Sequence, residues 1–399
     1  MMFAMATPVV AMALGAAIDY SRAASARSDL QTLADSAALA GAKELRLAAA
    51  DKEIAIAVAR QMATANAQDG TSFDFSATVG ADRQTMQVTL TASIETVFLG
   101  FAAIPTIEVV TQAEARVFGG APTCLMGLDP SQSSTIAVDK AKVTAPGCAI
   151  YANSTHTKAL VIGGKGIAKA AFFCSGGGAK IDGTAQPAPR LDCPLSQDPL
   201  GDRPPPTFGG CNHVNYKAKG IAVLTPGVYC GGLEITAATI ATLTPGVYVI
   251  KDGPLKVKNG SDITGLNAGF YLTGEGAVID IDKKTIVSLS APKSGPLAGM
   301  LFFEDRSNPQ GKHKINSRNA PVLLGTFYLS QGELEIGAAG GLAYLTDTIG
   351  FLSAWTIVIA RKVSVNDGIN LTLNTDYSAS SVPVPEGLGA ESSVITLTH

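Results

Sequence analysis

Residues 224–235 read "LTPGVYCGGLEI", and residues 243–257 read "LTPGVYVIKDGPLKV". The Gly-Val-Tyr triplets begin at Gly227 and Gly246. Looser echoes follow: "GFYLTGEGAVIDI" from Gly269, "GMLFFED" from Gly299 and "GTFYLSQGELEI" from Gly325. Spacings of roughly 19 to 30 residues are those of solenoid repeats. Each echo shares one grammar: a glycine, a short aromatic strand, a turn, then often a short aliphatic strand. One coil of a parallel β-helix produces that grammar, because each strand buries its inward residues against the coils on either side. The reading is an all-β, right-handed parallel β-helix over residues 121–399, with an irregular antiparallel sandwich as the alternative. The Pro-rich stretch "PAPRLDCPLSQDPLGDRPPPTFGGC" (residues 187–211) reads as a loop between coils, clamped by disulfides.

Two other regimes precede it. Residues 1 to about 68 are Ala-rich and helical in pattern, with Leu30, Leu33 and Leu45 on one stripe and Ala34, Ala37 and Ala38 between them. This helix is expected to break or bend near Gly41. "DKEIAIAVARQMATANA" (residues 51–67) predicts a second helix with Ile54, Ala57, Val58 and Met62 on one face. Between residues 70 and 118 the period becomes two, in "TSFDFSATVG", "QTMQVTLTASIETVF" and "TIEVVTQAEARVF". Helices followed by a small antiparallel sheet make an α+β module over residues 19–120.

The N-terminal "MMFAMATPVVAMALGAAI" (residues 1–18) carries no charge, and Asp19 ends it. At 1.5 Å per residue it reaches about 27 Å, close to a bilayer's hydrocarbon thickness. It therefore reads as a transmembrane helix. A cleaved signal peptide would need a basic leading region, which residues 1–18 do not contain, and a basic leader upstream of Met1 is expected. Arg22 and Arg27 would hold their flank in the cytoplasm, whereas disulfides downstream need an oxidising compartment. Long domains translocate regardless of such charges, so the cysteines decide.

The chain of 399 residues has a net charge of −3 and few charged residues, which argues against nucleic-acid binding. Its cysteines, Cys124, Cys148, Cys174, Cys193, Cys211 and Cys230, form no C-x-x-C pair, and His156, His213, His313 and His399 are scattered. No metal site is expected from them. An even cysteine number suits disulfides, and although many connectivities are open, sequential neighbours are the expected pairs. Buried free thiols are the alternative.

Candidate chemistry is thin. Asp129-x-Ser131-x-Ser133 matches a metal-adhesion pattern of von Willebrand A domains, but strand and turn follow it where a helix is required, so it reads as a turn. "GGKG" (residues 163–166) is not a phosphate-binding loop. Asp280, Asp282, Glu304 and Asp305, with Arg306 and Lys312 nearby, form the best enzyme-like cluster, since paired carboxylates can serve as acid and base. Such residues on a solenoid face are ordinarily solvated, and no enzyme, catalytic residue or cofactor is expected. Tyr229, Tyr248 and Tyr271 read as a packed column rather than a sugar-binding ladder.

"AAIDYSRAASARSDLQTLADSAALAGAKEL" (residues 16–45) resembles the N-terminal module of TadG-like (TadE/TadG) Flp pilus-assembly proteins. Asp19, Tyr20, Arg22, Leu30, Gln31, Asp35, Ala37, Ala38 and Leu39 sit where that pattern expects them. The stretch "GFAAIPTIEVVTQAEARV" and parts of the Cys- and Gly-rich half are similar too, while the von Willebrand A domain of many relatives is missing from the pattern. The resemblance implies a structural or assembly component of a Tad/Flp-type pilus, anchored once in the bacterial inner membrane. Its C-terminal domain would lie in the periplasm or at the cell surface, for adhesion or contact with other pilus-assembly proteins. A surface β-helix that binds or cleaves polysaccharide is the runner-up, with a glycan or surface ligand as its partner. An adhesin that uses the pilus module only as an anchor is a third reading. The small residues of "LQTLADSAALAGA" (residues 30–42) suit either a partner helix or the module's own sheet.

Overall fold

A computed structural model describes residues 2–45, 52–67, 72–80, 85–118, 122–317, 319–337, 348–388 and 394–398. The chain forms two compact units, residues 1–120 with 393–399, and residues 121–392.

In the first unit, α1 (Met2–Glu44) and α2 (Lys52–Asn66) precede β1 (Asp74–Val79), β2 (Thr85–Glu95) and β3 (Thr106–Phe118). β1–β2–β3 form an antiparallel sheet, and a C-terminal strand, Val394–Thr398, adds antiparallel to β3. Residues 394–398, expected to belong to the β-helix, instead complete the sheet of the first unit. β2 buries alternate residues, Met86, Val88, Leu90 and Ala92, as a half-covered sheet requires. They pack with Leu30, Leu33, Ala34, Ala37 and Ala38 of α1.

α1 does not break at Gly41 but continues to Glu44. A Cβ on Gly41 would lie 2.5 Å from Met86 Cε and 3.0 Å from the Ala55 carbonyl, so the glycine admits α2 and the sheet to the helix. That close approach also decides the face of α2. It buries Ala55, Ala59 and Ala63, while Ile54 and Met62 point out, the reverse of the expected face. Alanine against alanine allows the short interhelical distance that larger side chains would forbid. The expected membrane span falls largely outside the described side chains, which omit residues 1–11 and 13. Among the described residues no helix is long and apolar enough to cross a membrane.

In the second unit every ladder between described strands is parallel, which excludes the antiparallel sandwich; only an isolated bridge between Trp355 and Thr375 is antiparallel. Strand Gly227–Ile235 pairs with Gly246–Lys251, which pairs with Ala268–Thr273, then Met300–Glu304, Asn319–Ile336 and Thr356–Asn366. One inward column runs Tyr248, Phe270, Phe302, Phe327, Val358 in register. Its ring centroids lie 5.5, 5.1 and 5.0 Å apart, the contact distance of favourable aromatic pairs.

The LTPGVY repeats show how sequence makes a rung. Leu224 lies level with Leu243, but after the turn Gly227 lies level with Tyr248, a slip of two residues. An even slip preserves the inward face, so Tyr229 and Tyr248 still stack, with ring centroids 6.1 Å apart. Each tyrosine hydroxyl donates to the carbonyl of the threonine four residues before it, Thr225 at 2.7 Å and Thr244 at 2.8 Å. The motif thus satisfies its own buried hydroxyl. Gly246 is a glycine because a Cβ there would lie 2.3 Å from Pro226 of the neighbouring repeat.

The order of rungs is not the order of the chain. Val358 lies level with Leu125, which continues to Ile150 and Phe173, so rungs built from residues 123–175 stack on the strand Thr356–Asn366. Residues 187–212 must then return from one end of the stack to the strand His213–Ala218 at the other. This crossover lies over the outward column Tyr271, Phe303, Tyr328, Ile359, Met126 and Tyr151. Phe208 meets Tyr271, Tyr328 Oη donates to Asp198 at 2.6 Å, and the Arg306 guanidinium donates to the carbonyls of Leu200 and Arg203. Asn153 exchanges two hydrogen bonds with Ser196, and Tyr151 donates to Pro194. Strands covered on both faces read as continuous apolar runs, which explains "GMLFFED".

Candidate functional site: the seating of the N-terminal helix

Two polar motif residues of α1, Asp19 and Gln31, hold the helix to its module. Asp19 is 2 % exposed on a helix whose neighbours in sequence face solvent. Its carboxylate accepts three backbone N–H bonds from the turn after β2: Val97 at 3.0 Å, Phe98 at 2.8 Å and Leu99 at 2.8 Å. Burial alone would raise its pKa. The bonds from Leu99, Val97 and Phe98 and the charge of Arg22 outweigh that and hold the carboxyl below its ordinary value. Such convergence of charge-assisted bonds on one anion fixes the loop against the helix.

Gln31 makes the second attachment. Its Nε2 donates to the Gln112 carbonyl of β3 at 3.0 Å and to Asp35 Oδ1 at 2.9 Å. Leu30, Ala37 and Ala38 are buried and Leu39 is half-buried, all within this unit's core, so the small-residue face serves the module itself rather than standing open. Tyr20 and Arg22 are exposed. The residues that sequence reasoning could not pair with Asp19 are the three turn amides, since backbone donors leave no mark in a side-chain pattern.

The acidic residues of the second unit do not form one site. Asp280 belongs to an outward row that alternates in charge, Lys217, Glu234, Lys256, Asp280, Lys314, Glu335, each level with the next. Its carboxylate lies 2.6 Å from Lys258 Nζ, and Lys312 lies 2.5 Å from Glu335. Asp282 accepts the Asn259 and Lys284 amides of two turns. Glu304 is buried, accepting the Gln331 and Gly332 amides and contacting His313 Nε2 at 3.1 Å. Because His313 Nδ1 accepts the Ile279 amide, the ring's proton sits on Nε2 and points at Glu304. Asp305 accepts Thr273 and Ser307, and Arg306 serves the crossover.

Asp129 is a turn residue: Oδ1 accepts the Ser131 and Gln132 amides, and Oδ2 pairs with Arg361 at 3.2 Å. Among the described residues no group of three metal-ligating side chains converges. Tyr229, Tyr248 and Tyr271 are buried, Tyr229 and Tyr248 in the inward column and Tyr271 under the crossover, and burial pushes the Tyr229 hydroxyl up to about 12. The cysteines pair as sequential neighbours, Cys124–Cys148, Cys174–Cys193 and Cys211–Cys230. The second and third bridges fasten the two ends of the crossover.

No curated protein and no solved structure matches the chain. A family model does, the Tad model of Flp pilus-assembly TadE/G-like proteins, over residues 1–44. That range ends with α1 and holds Asp19, Gln31 and Asp35. Residues 1–44 of this chain are thus similar to the Flp pilus-assembly TadE/G-like domain.

Proposed function

We propose that the chain is a membrane-anchored structural or assembly component of a Tad/Flp-type pilus system, without enzymatic activity. The observation that carries this is the TadE/G-like match over residues 1–44, whose motif residues seat the helix on a small α+β module. In this reading residues 1–18 cross the bacterial inner membrane once. The parallel rungs of residues 122–388 form a right-handed β-helix in the periplasm or at the surface, for adhesion or contact with pilus proteins. The disulfides support an oxidising compartment. Parallel strands stacked in columns support the β-helix assignment.

An alkaline-phosphatase fusion after residue 120 tests the topology and is expected to be active. Deletion of the gene is expected to reduce piliation and surface attachment, and normal pili and attachment would sink the assignment. The polysaccharide reading gains nothing from Asp280, Asp282, Glu304 or Asp305, each of which is engaged by its own neighbours. A glycan array on the full chain separates it from the pilus reading.

A further inference from the structure

The turn that Asp19 holds is itself unusual. Residues 96–107, "TVFLGFAAIPTI", carry no charge between Glu95 and Glu108. A connection between antiparallel strands is ordinarily polar, yet here Val97, Phe98, Phe101 and Ile104 are exposed, Phe101 by 82 %. A short 3-10 turn, Leu99–Ala102, gives the tip a defined shape, closed by the Ala103 and Ile104 amides on the carbonyls of Gly100 and Leu99.

The loop's position is fixed along α1. Asp19 binds its first three amides, and a Cβ on Gly15 would lie 2.5 Å from the Phe98 ring, so the helix leaves room there for that side chain. Met12, Leu14 and Ile18, in the same two turns of helix, are also exposed. The helix and the loop therefore present one apolar surface beside residues 12–19. It continues the uncharged stretch of residues 1–18 and stops where Asp19 and Arg22 begin.

We propose that the loop of residues 97–105 enters the lipid bilayer beside the N-terminal helix, as a second, interfacial anchor of the first unit. The inference rests on residues 1–18 crossing a membrane. Charge-free aromatic and aliphatic residues at the end of a spanning segment are what an interface accepts, with the aromatic rings at headgroup level. Asp19 then has a positioning role: it fastens the loop at the depth where the helix leaves the hydrocarbon. A second copy of the chain is the competing occupant.

The test uses the full chain in phosphatidylcholine vesicles, with Phe101→Trp as reporter and Val110→Trp, an exposed site on β3, as control. Trp355 is fully buried in the second unit and supplies a constant background. Vesicles are made with and without brominated acyl chains. We expect the protein to float with the vesicles, Phe101→Trp to be blue-shifted and quenched at least twofold by brominated lipid, and Val110→Trp to be unaffected. Failure to float overturns the membrane span and the loop anchor together. Flotation with an unquenched, red-emitting Phe101→Trp overturns the loop anchor alone. Flotation with a blue-shifted but unquenched Phe101→Trp overturns it too, in favour of a protein occupant.

Discussion

Replacing Asp280 with lysine tests whether the alternating row fixes the register of the stack. Asp280 lies level with Lys256 and Lys314, and its carboxylate lies 2.6 Å from Lys258 Nζ. Each opposite-charge neighbour across strands contributes about 0.2–1 kcal/mol. Three such neighbours sum to about 0.6–3 kcal/mol, which falls to about 0.5–2 kcal/mol once the partial exposure of these side chains is allowed for. Asp280→Asn forfeits that sum. Asp280→Lys forfeits it and adds repulsions of similar size, for a total of about 1–4 kcal/mol. Screening shortens from about 10 Å at 0.1 M salt to about 3 Å at 1 M, so most of the difference between the two variants should vanish in 1 M NaCl. Urea is the denaturant because it is uncharged, and Trp355, the single tryptophan, reports the transition. Adding Lys256→Glu and Lys314→Glu to Asp280→Lys should recover part of the loss. If Asp280→Lys costs no more than Asp280→Asn at low salt, or as much at 1 M as at 0.05 M, the row does not act through charge.

Three further outcomes are expected. Phe302→Ala, in the middle of the inward column, should cost about 3–5 kcal/mol and lower Tm by roughly 10 °C in calorimetry, and a shift under 3 °C would contradict its place in the core. Cys211→Ser with Cys230→Ser opens a loop whose ends are 19 residues apart, and urea unfolding should register a loss of about 3 kcal/mol. Because the Asp19 carboxyl titrates below its ordinary value of 3.8, its hold on the turn is complete above that pH and weakens as pH falls through the lower folded value. Amide proton shifts of Val97, Phe98 and Leu99 should therefore stay constant from pH 7 to 5 and move together with a midpoint below 3.8, whereas a midpoint at or above 3.8, or the same titration in Asp19→Asn, would remove the carboxylate from the explanation.

The local grammar of this chain was legible and its order was not. LTPGVY named the strands because the motif closes on itself through the tyrosine hydroxyl, within four residues. The disulfides were readable as near neighbours because each joins adjacent rungs or an end of the crossover to a rung beside it. Nothing in Leu125 or Val358 announces that they are level, since one apolar inward residue fits another equally well. The charged row was hidden by loops of unequal length between Lys217 and Glu335, which break the period a reader would look for. On α2 the large residues misled, because the buried face was chosen by the nearness of α1 and not by hydrophobicity. Asp19 and Gln31 were marked by pattern, yet their partners are main-chain groups, which no pattern displays.

The crossover has a consequence for the birth of the molecule. A chain delivered N-terminus first presents the rung at Thr123–Gly127 long before its neighbour at Thr356–Asn366 exists. The first sheet likewise waits for Val394–Thr398 to cover β3. The second unit cannot finish its hydrogen-bond ladders until residues 356–372 are in place, nor the first until residues 394–398 are. A product truncated before residue 356 would therefore keep an open strand edge in each unit, each a ready template for pairing with another chain.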